Sequence, residues 1–172
     1  MKLIWPGFNE KGTVLIDLAY ESFLLSKVPV LVDGIYYTPK DELHVTLVGE
    51  EVSSILQHKI KQDPKNIEVL VHIFESIDWA FDKSGPVHIL SSSKKSKVQK
   101  SIIMLIDMPG MTTFYQQLKS FGLIPGKTPI PPAHVTLYTY NCPPGIGVPS
   151  NETLHSLSKK TLAVKEFNDL KN

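Results

Sequence analysis

The chain contains no arginine; all eighteen of its cationic residues are lysines. Arginine is the usual bidentate clamp for phosphate, so any phosphate held here falls to lysine, histidine, hydroxyls or backbone N–H groups. Cysteine is almost as scarce. Cys142 stands alone, which excludes an intrachain disulfide and a cysteine-based metal cluster. Long apolar runs are missing too: the longest uninterrupted one, Ile102 to Ile106, falls far short of a bilayer span. The opening run from Met1 is broken at once by Pro6-Gly7 and is too short for a signal peptide. No charge of one sign dominates. A net charge of +1 argues against a protein that coats long duplexes through its field alone. These absences lead us to expect a cytoplasmic protein with neither a membrane nor duplex DNA as partner.

What remains is the composition of an ordinary globular protein, 42% hydrophobic and 20% charged over 172 residues. That length suits a single domain, 1–172, or two small lobes sharing an interface. Thr13 to Leu18 reads as a first strand, and 19–27 as its continuation or a short helix. Asp33-Gly34 is a hairpin turn between the apolar run Val28 to Val32 and a strand at Ile35 to Thr38. After Gly49 the apolar period changes to that of a helix, with Glu50 and Glu51 at its start and Lys59 and Lys61 near its end, as the helix dipole favours. Asp63-Pro64 breaks it, and Ile67 to Ile77 forms a second helix. Trp79 to Phe81 and Val87 to Leu90 read as short strands around a turn at 83–86. The serine- and lysine-rich stretch 91–100 reads as a solvated loop, in preference to a flap over an anionic substrate. Ser101 to Met108 is a strand, Phe114 to Phe121 lies in a helix ended by Gly122, and a proline-rich connector runs from Pro125 to Pro132. A loop to Pro149, a short helix or turn around Thr153 to Ser158 and a last strand at Leu162 to Phe167 close the chain.

One tetrapeptide occurs twice. His44-Val45-Thr46-Leu47 recurs as His134-Val135-Thr136-Leu137, each copy among β-branched and apolar residues that favour a strand. Side chains alternate along a strand, so each copy presents an apolar face and a face carrying an imidazole two residues from a hydroxyl. Similar element order around the two copies suggests an internal repeat with approximate two-fold symmetry. A lone His-Val-Thr is more often a half-buried edge feature; a matched pair shifts the balance towards function.

Histidine alone titrates unperturbed near neutral pH, so two imidazoles facing one cleft can act as acid and base. Thr46 and Thr136 could donate hydrogen bonds to the non-bridging oxygens of a phosphate held between them. Together the four side chains suit in-line displacement at phosphorus with no cofactor. A metal site lacks a third ligand, since neither motif carries another His, Asp or Glu on the same strand face. Tyr138, four residues beyond His134, is expected on the same face, where its ring could stack on a nucleobase or wall the cleft. Lys127 is a weaker candidate for a phosphate contact. His58, His72, His88 and His155 have no comparable setting.

The paired His-x-Thr motifs, with their hydrophobic flanks and the half-to-half layout, resemble the 2H phosphoesterase superfamily, which includes 2′-5′ RNA ligase-like proteins and cyclic phosphodiesterases. The resemblance implies an α+β, two-lobed, pseudo-symmetric fold, with antiparallel sheets lining a central cleft, helices outside and one motif strand from each lobe. It implies metal-independent hydrolysis of a 2′,3′-cyclic phosphate on a nucleotide or RNA end, or of a 2′-5′ phosphodiester. The catalytic residues would be His44, Thr46, His134 and Thr136. The alternatives are a non-catalytic nucleotide- or RNA-binding module of the same fold, or an enzyme degrading 2′-5′ oligonucleotide or cyclic dinucleotide signals. The chain departs from many members in having no arginine to place near the cleft.

Overall fold

Alternating β-branched and apolar residues dominate the strands, and 3.6-residue periodicity dominates the helices, giving an α+β protein. The computed structural model describes residues 1–23, 25, 27–94 and 96–169. Among the described residues are an eight-stranded sheet and five α-helices. The strands are β1 (Val14–Leu18), β2 (Val30–Val32), β3 (Ile35–Pro39), β4 (Leu43–Val48), β5 (Val87–Lys94), β6 (Lys97–Leu105), β7 (His134–Tyr140) and β8 (Ser158–Leu162). The helices are α1 (Glu50–Gln62), α2 (Lys65–Ser76), α3 (Pro109–Ser120), α4 (Asn151–Leu157) and α5 (Val164–Asp169). The main strand order is β1-β4-β7-β6-β5-β8, with the β2/β3 hairpin joined through β3 to β7. Pairings of β7 with β3, β4 and β6 are all antiparallel.

Two compact units divide the chain. The first comprises Met1–Ile16, Thr46–Phe81 and Met108–Ile130; the second comprises Asp17–Val45, Asp82–Asp107 and Pro131–Asn172. His44 and the whole of β7 lie in the second unit, and Thr46 in the first.

In the first unit, aromatic residues join α2 and α3, with Phe74 edge-on to Phe114 at 6.4 Å. Phe74 and Trp79 lie with centroids 4.9 Å apart, and the Trp79 indole N–H donates to the Phe74 carbonyl at 3.0 Å. Gly110 lets α3 begin against this cluster, since a Cβ there would come within 2.7 Å of the Asp78 carbonyl oxygen. The Tyr115 hydroxyl donates to the Leu47 carbonyl at 3.0 Å, which ties α3 to the end of β4.

The second unit is a set of antiparallel ladders. Asp33 and Gly34 both have positive φ, 49° and 77°, as a two-residue hairpin of the primed type needs. Stretch 91–100 is not the loop expected from its polarity. The β5/β6 ladder continues through Ser93↔Val98 to Lys94↔Lys97, so most of the stretch forms the outer end of a hairpin. Backbone pairing satisfies these residues whatever their side chains, and one face of an antiparallel pair can meet water. Lys95 lies outside the described residues.

The run Leu162 to Phe167 also differs from the expected strand. It is split into the end of β8 and the start of α5, where the Ala163 N–H donates to the Glu166 carboxylate at 2.7 Å. A Glu reaching back three residues is half of a capping box, and it starts a helix. In segment 19–27, Tyr20–Phe23 forms a 3₁₀ turn, and Leu24 and Ser26 lie outside the described residues. No helix among the described residues is long and apolar enough to cross a membrane.

Candidate active site

Leu43, Val45 and Leu47 of β4 are buried, while His44 and Thr46 between them are half-buried. On β7, Val135 and Leu137 are buried and Thr136 is half-buried. The expected alternation is present on β4; on β7 it is broken, because His134 is itself buried beside Val135. The two strands meet in antiparallel register at Val45↔Val135, the equivalent middle residues of the two His-Val-Thr copies. That pairing brings the two motifs together, and the His44 charge acts on His134. Thr46 follows His44 by two residues and continues β4 into the first unit.

The geometry of His134 is fixed locally. Its Nδ1 lies 2.8 Å from the Pro132 carbonyl oxygen. A carbonyl only accepts, so Nδ1 carries the proton, and Nε2 of the neutral ring is left with a lone pair. His134 is 9% exposed. Burial lowers its pKa from the ordinary histidine value, and the His44 charge adds to that, against the opposing Pro132 bond. His44 is also lowered, first by burial and then by the Lys40 ammonium, with Asp17 and Glu42 pulling the other way. Burial thus shifts both imidazoles towards the neutral form, and at His44 the carboxylates of Asp17 and Glu42 oppose that shift in part.

Thr136 is covered by a turn that the sequence showed only as a Pro- and Gly-rich loop. Gly145 has φ +89°, and a Cβ there would lie 3.1 Å from both Cγ2 and Oγ1 of Thr136. The turn is closed by the Gly145 N–H donating to the Cys142 carbonyl at 2.8 Å. It is anchored by the Ile146 N–H donating to Ser101 Oγ at 3.0 Å. Ile146 and Val148 then pack with Leu90, Ile103 and Leu154. Only a residue without a Cβ allows this approach at this φ.

Tyr138 is not where the spacing put it. Paired residues share a face, and His134 and Thr136 pair with Leu105 and Ile103 of β6. Tyr138 pairs with Ile102, which has the opposite parity, because the register slips by one residue between Ile102 and Ile103. Leu137 is the extra residue of a β-bulge, and a bulge reverses the faces beyond it. Tyr138 therefore turns to the face opposite the two motif residues, is 0% exposed, and meets Phe167 edge-on at 6.0 Å. A buried ring offers no face to a nucleobase, so the stacking role expected of it does not fit its position.

Lys127 is exposed and belongs to the first unit. His88 binds Ser158 Oγ at 2.9 Å through Nδ1, and His155 Nδ1 lies 2.7 Å from the Asn151 carbonyl, so both have structural partners. His58 and His72 are exposed on helices. Among the described residues, no three His, Cys, Asp or Glu side chains gather as a metal-binding set. Sequence reasoning passed over Pro132, Gly145 and Lys40. Lys40 stands four residues before His44, between β3 and β4.

The depressed histidines set a pH dependence of stability. His44, His88 and His134 all have pKa values lowered from the ordinary 6.5. Below that value the unfolded chain takes up protons that the folded chain resists, so stability falls as pH drops from about 6.5 towards the folded values. The urea midpoint is expected to be lower at pH 5.5 than at pH 7.5, and His134→Asn should shrink that difference. A midpoint unchanged across this range would contradict it.

Comparison of the chain with protein-family models, curated proteins and solved structures finds no match.

Proposed function

We propose that the protein is a metal-independent phosphodiesterase of the 2H type. Its substrate would be a 2′,3′-cyclic phosphate on a nucleotide or RNA end, or a 2′-5′ phosphodiester. The observation that carries this reading is the antiparallel register at Val45↔Val135. An antiparallel pair centred on equivalent residues has a local two-fold axis at that pair. The register thus supports a pseudo-symmetric site, in which one His and one Thr from each strand flank a single phosphate.

The two histidines differ in environment, and this favours distinct roles. His134, buried and with Nδ1–H held by Pro132, keeps a lone pair on Nε2 and acts as general base. It takes a proton from water as the water oxygen attacks phosphorus. The P–O bond to the ribose oxygen breaks, and His44, the less buried of the two and the one with Asp17 and Glu42 to offset in part the lowering by burial and Lys40, gives a proton to that oxygen. The sum is addition of one water across the P–O bond. Thr46 and Thr136 donate to the non-bridging oxygens as charge builds there.

The test is a panel of 2′,3′-cyclic nucleotides, 2′-5′ dinucleotides and cyclic dinucleotides, with products resolved chromatographically. Binding without turnover across the panel would favour a nucleotide-binding module instead. Turnover should survive chelation, since acid, base and phosphate donors are all side chains of the protein. Loss of activity in EDTA, restored by one particular divalent ion, would overturn this.

A further inference from the structure

With no arginine in the chain, some other cation must meet a phosphate's charge. Lys40 lies in the connector between β3 and β4, and its backbone N–H donates to the Leu137 carbonyl at 2.9 Å. That bond sets it beside β7, one residue from Thr136. Its ammonium donates to the Pro143 carbonyl at 2.8 Å, within the same turn whose Gly145 rests on Thr136. The lysine is half-buried, and among the described residues its ammonium makes no salt bridge to a carboxylate. Its charge is also felt at His44, where it opposes the carboxylates of Asp17 and Glu42. Lys2, Lys83 and Lys159 also donate to backbone carbonyls but are exposed, and the exposed Lys160 is paired with Asp33 at 3.1 Å. Its ammonium is thus half-buried, tied to a neutral carbonyl and close enough to act on His44, with no carboxylate bound to it among the described residues.

We propose that Lys40, held by the Cys142–Gly145 turn, is the phosphate-binding cation of this site. The proposal rests on the phosphodiesterase reading above and extends it with a specific anion-binding residue. In the free protein the Pro143 carbonyl parks the ammonium. A phosphate beside Thr136 takes it over, because a charge-assisted bond to a phosphate oxygen is stronger than one to a neutral carbonyl. Lysine serves here as a point charge and imposes no planar two-pronged geometry, so it can follow the phosphate as its oxygens rearrange.

The experiment follows the imidazole resonances of His44 and His134 by NMR during titration with inorganic phosphate and with adenosine 2′-monophosphate. Wild-type protein should show saturable shifts at both histidines. Lys40→Met should weaken binding of both probes by about tenfold or more. It should also raise the pKa of His44, since it removes a positive charge, which a merely structural lysine would not do. Lys40→Arg, which keeps the charge, should bind within about threefold of wild type, and Lys127→Met should bind as wild type does. Equal phosphate binding by Lys40→Met and wild type, or an unmoved His44 pKa, overturns the proposal, as does a Lys40→Arg protein that binds no better than Lys40→Met. The two readings fail separately. If phosphate binding depends on Lys40 but no diester is hydrolysed, the phosphodiesterase reading falls and the anion site stands. If diesters are hydrolysed and Lys40→Met leaves kcat/KM and binding intact, the anion site falls alone.

Discussion

Alanine at His44 or at His134 should lower kcat/KM on the order of 10²–10⁴-fold, the usual worth of a positioned acid or base. Alanine at both should cost little more than alanine at one. The reason is mechanistic: a base with no acid opposite makes a nucleophile that cannot expel its leaving oxygen, so the second loss removes little that still works. Thr46→Ala and Thr136→Ala should cost less, because each removes a phosphate donor and leaves proton transfer in place. The pH profile of kcat/KM should be bell-shaped, with its maximum on the acid side of 6.5, because both histidines are lowered from that value. Its limbs belong to the coupled pair, since the His44 charge acts on His134. A folded single variant with near-normal turnover would defeat the assignment. So would single losses that simply multiply, for the histidines would then act independently.

The motif strands were legible because their signal is local. Leu43, Val45 and Leu47 alternate with His44 and Thr46, and a period of two survives in any sheet that buries one face. Helices α1, α2 and α3 were legible for the same reason at a different period, whereas α5 lies in a run that reads as a strand. What failed were features decided by partners distant in sequence. The polar run 91–100 pairs with itself across a turn, and its ladder hydrogen bonds are blind to side-chain polarity. Gly145 and Lys40 join the site only when the chain returns to β7, so nothing next to them in sequence announces it. Tyr138 failed for a subtler reason. The rule that residues four apart on a strand share a face holds only while the ladder has no extra residue, and Leu137 is one.

That bulge leads to the second large expected effect. If Tyr138 lined the site, Tyr138→Ala would weaken substrate binding and leave the fold intact. Its ring is instead fully buried, on the face of β7 that also carries Val135, and set edge-on to Phe167 of α5. Truncating a buried aromatic removes its transfer free energy and leaves a cavity that the surroundings fill only in part. Tyr138→Ala should therefore destabilise the protein by about 3–5 kcal/mol. Tyr138→Phe keeps the ring and the Phe167 contact and should cost much less. Phe167→Ala should be costly too, and the double alanine variant should fall short of the sum, because the two rings share one contact. Chemical denaturation of the four variants measures this, and KM determined under conditions where each remains folded separates it from a binding role. A Tyr138→Ala protein as stable as wild type but with a raised KM would return the ring to the substrate and place the bulge's reversal of faces in error.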